Sequence, residues 1–183
     1  MVDMMVAVQR DGPRASLLSL GLVLGLLLVA FGPGRDLLIT TFALLVALLG
    51  MFGLMALLAV RLNFLNAIAV PITIGIGVDY PFNVMARLRQ ERAPGGHLMQ
   101  GLWQTGGAVM LCSLTTMIGY ATLLLSDTGA IRSFGMAAVL GEITSISAAI
   151  VTVPALLYAS GALQRLRAAR RRTGRAVKKG RPE

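Results

Sequence analysis

Charged residues are scarce in this sequence of 183 residues, since only 14% are Asp, Glu, Lys or Arg. An average soluble domain has roughly 25%, and so few charges could not cover the apolar interior of a soluble protein of this size. Hydrophobic residues make up 56% and come in long runs, each able to cross the roughly 30 Å hydrocarbon core as a helix. The predicted fold class is therefore an all-α, polytopic membrane helix bundle. The runs are too long for barrel strands and lack a two-residue alternation.

Cysteine and histidine are nearly absent, which excludes several kinds of site. Cys112 is the only cysteine, so no intrachain disulfide or cysteine metal cluster can form, and its apolar run predicts a small buried residue. His97 is the only histidine and has no partner ligand in its polar loop. Gly75 and Gly77 lack the preceding strand and third glycine of a nucleotide fingerprint. We expect no metal, no cofactor and no enzymatic activity.

Five apolar runs predict a transmembrane domain over residues 15–160. The predicted spans lie at about 15–31, 37–60, 62–86, 102–125 and 133–159. Residues 1–14 contain two acids and no signal-peptide cleavage pattern, so the sequence reads as though it begins partway through a longer protein.

The basic residues predict the orientation of the chain. Nine of the 17 lie in the tail, residues 161–183, between Arg165 and Arg181, and such a cluster after an apolar helix favours a cytoplasmic end near anionic lipid over nucleic-acid binding. The loop with Arg87, Arg89 and Arg92 is also predicted to be cytoplasmic. Residues 1–14 then lie outside.

Two acids fall inside predicted spans, Asp79 in the third and Glu142 in the fifth. An unpaired charge at mid-membrane costs at least about 2.5–3.5 kcal/mol, so such residues usually have a function. Burial disfavours the charged form, which lets a carboxyl exchange protons near neutral pH. The functional interpretation is favoured for Asp79 over structural pairing. For Glu142, a functional role and snorkelling towards water are equally favoured.

The residues around Asp79 suit a hydrated proton site. Gly75 lies one turn earlier on the same face and leaves room for a neighbouring helix. Tyr80 offers a hydroxyl that can donate to or accept from a carboxyl group. Pro81 cannot donate to the Gly77 carbonyl, which frees an acceptor beside the acid and permits a kink.

Small residues recur at helical spacing in the last two spans and predict close helix packing. The fourth span has such a stripe at Thr105, Ala108, Cys112, Thr116 and Gly119, and the fifth at Gly141, Ser145, Ala148 and Thr152.

Five segments of the predicted transmembrane domain form a series of motifs: Leu62-Asn63-Phe64-Leu65-Asn66, Ile74-Gly75-Ile76-Gly77-Val78-Asp79-Tyr80, Ser113-Leu114-Thr115-Thr116-Met117-Ile118-Gly119-Tyr120, Phe134-Gly135 and Val153-Pro154-Ala155-Leu156-Leu157. In order and spacing, these motifs resemble the resistance-nodulation-division (RND) superfamily and, within it, the MMPL-type lipid exporters and their hopanoid-transporter relatives. The resemblance covers about residues 15–159. The continuation Pro81-Phe82-Asn83 departs from the familiar pattern.

The resemblance implies twelve spans in two parallel six-helix halves, each with a large periplasmic domain after its first helix. The five spans here would be spans eight to twelve, and residues 1–14 the end of a truncated periplasmic segment. It also implies a proton relay in which Asp79 and Tyr80 face a matching pair in the missing N-terminal half. Thr115 and Thr116 would line that relay, with Gly75 and Gly77 packing near it.

The sequence thus predicts the C-terminal membrane half of a proton-driven exporter of lipids, hopanoid-like, or of other hydrophobic molecules. Protons are the expected coupling ion. The expected partners are the missing half, membrane lipids and the cargo, with no nucleic acid. The expected location is the bacterial inner membrane, with a cytoplasmic C-terminus. Two alternatives stay open: a non-transporting sensor or assembly module, as in sterol-sensing relatives, and an inactive truncated fragment.

Overall fold

A computed structural model describes residues 2–60, 63–91 and 98–161, and every regular element in these ranges is helical. The α-helices are α1 (Val2–Phe31), α2 (Arg35–Leu57), α3 (Phe64–Gly77), α4 (Asp79–Glu91), α5 (Leu98–Thr122) and α6 (Gly129–Ser147). A 3₁₀ turn, Leu123–Leu125, follows α5, and a π-helical segment, Ala148–Thr152, follows α6. The all-α prediction is confirmed.

Four helices in the described ranges are long and apolar enough to cross a membrane: Arg10–Phe31, Arg35–Leu57, Ile68–Gln90 and Gly129–Gly161. A shorter apolar stretch, Val109–Leu125, lies within α5 and its 3₁₀ turn. The helices follow the predicted order of spans. Helix α1 begins at Val2, so the residues before the predicted first span are already helical.

The third predicted span has an interruption in its hydrogen-bond ladder, because α3 ends at Gly77 and α4 begins at Asp79, while Val78 between them keeps an α-helical backbone conformation. Pro81 has no N–H to donate to the Gly77 carbonyl, so the helical ladder is interrupted there. Regular bonding resumes when the Phe82 N–H donates to the Val78 carbonyl at 3.0 Å. The break thus falls directly before the acid, where the sequence permitted a kink.

Helix α6 is the centre of the unit formed by the residues up to Val153. It packs against α2, α3 and α5, while α1 packs mainly on α3, and α4 on α5. Without a hydrophobic driving force in lipid, such a bundle depends on close packing. Among the described residues, two clusters of buried apolar side chains lie in this unit: Val23, Leu27, Leu44, Ile74 and Val78; and Met51, Met55, Ala69, Ala137 and Leu140.

Small residues allow α3 and α6 to approach closely. A Cβ added to Gly141 would lie 2.9 Å from both Thr73 Cγ2 and Thr73 Oγ1, and one added to Gly77 would lie 2.6 Å from Ser145 Oγ. Ala148 is buried in the same stripe. The packing predicted for the small residues of the fifth span is confirmed at these positions.

The small-residue stripe of α5 differs from the prediction. Cys112 and Gly119 are exposed, and a Cβ added to Gly119 would meet nothing within 4 Å. The prediction of a buried Cys112 is therefore wrong for this bundle. An apolar run cannot show which of its faces meets other helices and which meets lipid. The side chains of Thr105 and Ala108 lie outside the described residues.

Contacts at the helix ends agree with an up-and-down order. An Arg89 guanidinium N–H donates to the Phe31 carbonyl at 3.4 Å, which places the ends of α1 and α4 on one side. The Asn66 amide donates to Ser133 Oγ at 2.9 Å, which places the starts of α3 and α6 together. His97, Arg92 and the basic tail fall outside the described residues.

Residues from Pro154 onward form a second unit, of which 154–161 are described. These residues are helical, and Tyr158 in this segment is exposed.

Candidate functional site

Asp79 and Tyr80 open α4 but point to different surroundings. Successive residues of an α-helix are rotated by about 100°, so neighbours in sequence face different ways. Tyr80 is buried, with 2% of its surface exposed, whereas Asp79 is exposed. The predicted Asp–Tyr pair is therefore divided between the inside of this bundle and its outer face.

The Tyr80 hydroxyl donates a hydrogen bond to Glu142 Oε1 on α6. Glu142 is 3% exposed, so its side chain does not snorkel to water as one of the two interpretations required. This bond links α4 to α6 directly after the break at Val78. The sequence had suggested a phenol–carboxyl contact, but Glu142, and not Asp79, is the acid that Tyr80 contacts.

Ser113 on α5 completes a buried polar cluster with Tyr80 and Glu142. Its hydroxyl lies close to both groups, yet Ser113 Oγ is fully buried and makes no hydrogen bond of good geometry within the described residues. Sequence reasoning used Ser113 only as part of a motif. The available signal was the one that marked the acids, a polar residue within an apolar run.

Asp79 lies on an exposed stripe of α3 and α4 with Gly75 and Asn83, which are four residues before and after it. A Cβ added to Gly75 would meet nothing within 4 Å. Neither a hydrogen bond nor an ion pair joins the Asp79 carboxyl to any residue that the structure describes. The stripe leaves open space beside a polar group, whereas Gly77, on the other side of α3, is packed against Ser145.

Thr115 and Thr116 both bond to their own helix. Their hydroxyls donate to the Cys112 carbonyl at 2.8 Å and 3.0 Å. Thr115 is exposed and Thr116 is half-buried. Within the described part of the chain, neither hydroxyl is hydrogen-bonded to Asp79 or Tyr80, so the structure does not assemble the four predicted relay residues into one network.

The arrangement is suited to proton exchange at two carboxyl groups. Neither Asp79 nor Glu142 is ion-paired with a described residue, so no cation neutralises either acid there. One acid faces outward beside small residues, and the other faces inward on a phenol and a serine. Membrane-spanning helices with acids inside the spans define a class, that of multi-pass membrane proteins with intramembrane titratable groups.

Within this class, the chain belongs to the MMPL family, whose model matches residues 1–180. The predicted kinship with MMPL-type proteins of the RND superfamily is confirmed.

Three relatives show how far the similarity extends. The chain is 30% identical to the membrane protein SCO6666 of Streptomyces coelicolor over 165 residues, which cover 84% of this chain and 23% of that protein. It is 29% identical to the hopanoid transporter HpnN of Rhodopseudomonas palustris over 67% of this chain and 14% of that protein. It is 27% identical to the protein translocase subunit SecD of Pseudomonas aeruginosa over 65% of this chain and 20% of SecD. The chain therefore spans less than a quarter of the length of each of these relatives.

Proposed function

We propose that this chain is the C-terminal membrane half of a proton-driven RND/MMPL-type exporter, and that its cargo is a lipid or another hydrophobic molecule. In this proposal it resides in the bacterial inner membrane with its C-terminus in the cytoplasm. Family membership supports the transporter class. The similarity to a protein named as a hopanoid transporter supports lipid-like cargo.

The observation that carries the proposal is the outward position of Asp79. A carboxyl inside a membrane span that faces away from its own bundle requires another polar surface, because lipid offers it no partner. Gly75, one turn before it, leaves room for a closely packed helix, and the exposed Asn83, one turn after it, offers a polar side chain on the same stripe. The missing N-terminal half would supply that helix and its own relay pair.

The proposed mechanism uses protonation of Asp79 to bias helix packing. The acid takes a proton from the periplasmic side and releases it to the cytoplasm, and each charge that crosses the field gains about 2.3 kcal/mol per 100 mV. The break at Val78 provides a hinge next to the titrating group. A cycle of charged and neutral Asp79 would then shift the balance between two arrangements of the bundle.

Asp79→Asn in the full-length parent protein tests this function. The amide keeps the size and hydrogen-bonding capacity of the acid but cannot titrate, so we expect proton-coupled export to fall to background while yield and melting temperature stay near those of the wild type. Asp127→Asn makes the same chemical change at an exposed residue between α5 and α6 and should leave export unchanged. Near-normal export per folded molecule by the Asp79→Asn protein would contradict the relay role.

The similarity to SecD, named as a protein translocase subunit, favours a second candidate. In that case the same proton-driven bundle would serve a polypeptide cargo. Export assays that compare labelled lipid with a labelled unfolded polypeptide, each with and without a proton gradient, would separate the two candidates.

A further inference from the structure

We propose that the cluster of Tyr80, Glu142 and Ser113 is a proton-binding site of its own, in which the Glu142 carboxyl gains and loses a proton inside the bundle. The site is distinct from Asp79, which faces outward. The inference concerns proton binding by this chain and does not depend on export.

Burial provides the first argument. Tyr80, Glu142 and Ser113 are 2%, 3% and 0% exposed, and they come from three helices, α4, α6 and α5. A buried carboxylate is costly unless it is paired with a cation or well hydrogen-bonded, and no described residue forms an ion pair with Glu142. The neutral acid is therefore an accessible state of Glu142.

Hydrogen-bonding capacity provides the second argument. When Glu142 is charged, its oxygens can accept from both the Tyr80 and the Ser113 hydroxyls. When it is protonated, its own O–H can donate to Ser113 Oγ, which lacks a partner within the described residues. A hydroxyl can rotate between donor and acceptor roles without moving its helix. The cluster can thus satisfy both protonation states, which a purely structural hydrogen bond would not require.

Glu142 is the carboxylic acid of this cluster, since Tyr80 and Ser113 carry hydroxyl groups. Outside the cluster, α4 carries Asp79 directly before Tyr80 and, at least seven residues further on, Arg87, Arg89 and Glu91. Helix α5 carries Tyr120 and Cys112. Helix α3, the 3₁₀ turn and the π-helical segment contain no titratable residue. Helix α2 carries Arg35 and Asp36 in its first turn, and α6 carries Arg132 ten residues before Glu142. Neither arginine forms a described ion pair with Glu142.

Tyr80 is the described group that is hydrogen-bonded to Glu142, since its hydroxyl donates to Glu142 Oε1. If a proton adds to the Tyr80 oxygen while the phenol passes its own proton to Glu142, the phenol ends with one proton, as it began, and Glu142 gains one.

Infrared difference spectroscopy of the full chain in phosphatidylcholine vesicles tests the proposal. The C=O stretch of a protonated carboxylic acid should appear on going from alkaline to acidic buffer. Carboxyl-¹³C glutamate labelling of the wild-type chain identifies the bands of the glutamates, which are Glu91, Glu142 and Glu183. We expect Glu142→Gln to remove a glutamate band, and the matched control Glu91→Gln to leave that band in place.

Tyr80→Phe and Ser113→Ala keep the acid but remove its hydrogen-bonding neighbours. Each should shift the frequency of the Glu142 band, which connects the band to the cluster even if Glu142→Gln folds poorly. A pH-dependent glutamate spectrum from which Glu142→Gln removes no band would overturn the proposal, as would a Glu142 band that neither cluster variant shifts. The export measured for Asp79→Asn bears only on the proposed function. The infrared test is independent of it, because labelled glutamate does not report on aspartate.

Discussion

Tyr80 and Tyr158 place the same side chain in opposite environments. The Tyr80 hydroxyl is buried against Glu142, whereas Tyr158 is 83% exposed. Interhelical hydrogen bonds in membrane proteins contribute about 0.6–1.7 kcal/mol, and an acid left buried without its donor adds to the cost of losing one. The contribution of a tyrosine hydroxyl to the stability of the fold therefore depends on the surroundings of that hydroxyl and not on the residue type.

We predict that Tyr80→Phe lowers the free energy of unfolding by about 1–2 kcal/mol, while Tyr158→Phe leaves it nearly unchanged. The measurement is reversible unfolding of the chain in mixed micelles. Equal effects of the two substitutions would show that the bond between Tyr80 and Glu142 does not stabilise the bundle.

At the scale of the helix, the sequence predicts the order of the elements well because length and apolarity alone decide which segments can cross a membrane. The break near Pro81 could also be predicted, because a proline lacks the N–H that would donate to the carbonyl four residues earlier in the helix. Which face of each helix is buried and which is exposed could not be predicted from the sequence. Leu26 and Leu27 are adjacent leucines, yet one is 59% exposed and the other fully buried.

The candidate site, like the helix faces, could be predicted from the sequence only in part. Asp79 and Glu142 stand out in the sequence because acids in apolar runs are costly. That Tyr80 bonds to Glu142 and not to Asp79 depends on how α4, α5 and α6 rotate against one another. No local pattern contains that information. The burial of Ser113 beside the exposed Cys112 depends on the same rotation.

Glycines on α3 and α6 provide a test of helix packing. A methyl group at Gly141 would meet Thr73 on two atoms and Met51 Sδ at 3.2 Å, whereas one at Gly75 would meet nothing. We predict that Gly141→Ala destabilises the chain by about 1–3 kcal/mol through overpacking. Gly75→Ala should be neutral or stabilising by up to about 1 kcal/mol, because alanine favours the helix.

Thermal unfolding of both variants in the same lipid provides the comparison. A Gly141→Ala protein as stable as the wild type would mean that α3 and α6 can separate freely. In the exporter proposed above, Gly75→Ala should lower export with no loss of stability, because that glycine faces the proposed partner helix and not its own bundle.

For the whole molecule, the contacts at the helix ends predict a pattern of accessibility. The turn at Gly34 and the end of α4 lie on one side, and the start of α6 lies three crossings away from Gly34. In a Cys112→Ala background, an impermeant thiol reagent should label Gly34→Cys and Gln90→Cys from one side of the membrane and Gly129→Cys from the other. Labelling of Gly34→Cys and Gly129→Cys from the same side would contradict the up-and-down order.

The exposed carboxyl of Asp79 also bears on how such a protein is assembled. In lipid, this group raises the free energy of the lone bundle by about 2.5–3.5 kcal/mol, which corresponds to roughly two orders of magnitude in an equilibrium constant. A helix that docks over the stripe and offers a polar partner removes that cost, so the acid favours association before any cargo or proton gradient is involved. In the proposed full-length protein, the residue that carries protons would thus also favour the association of the two membrane halves.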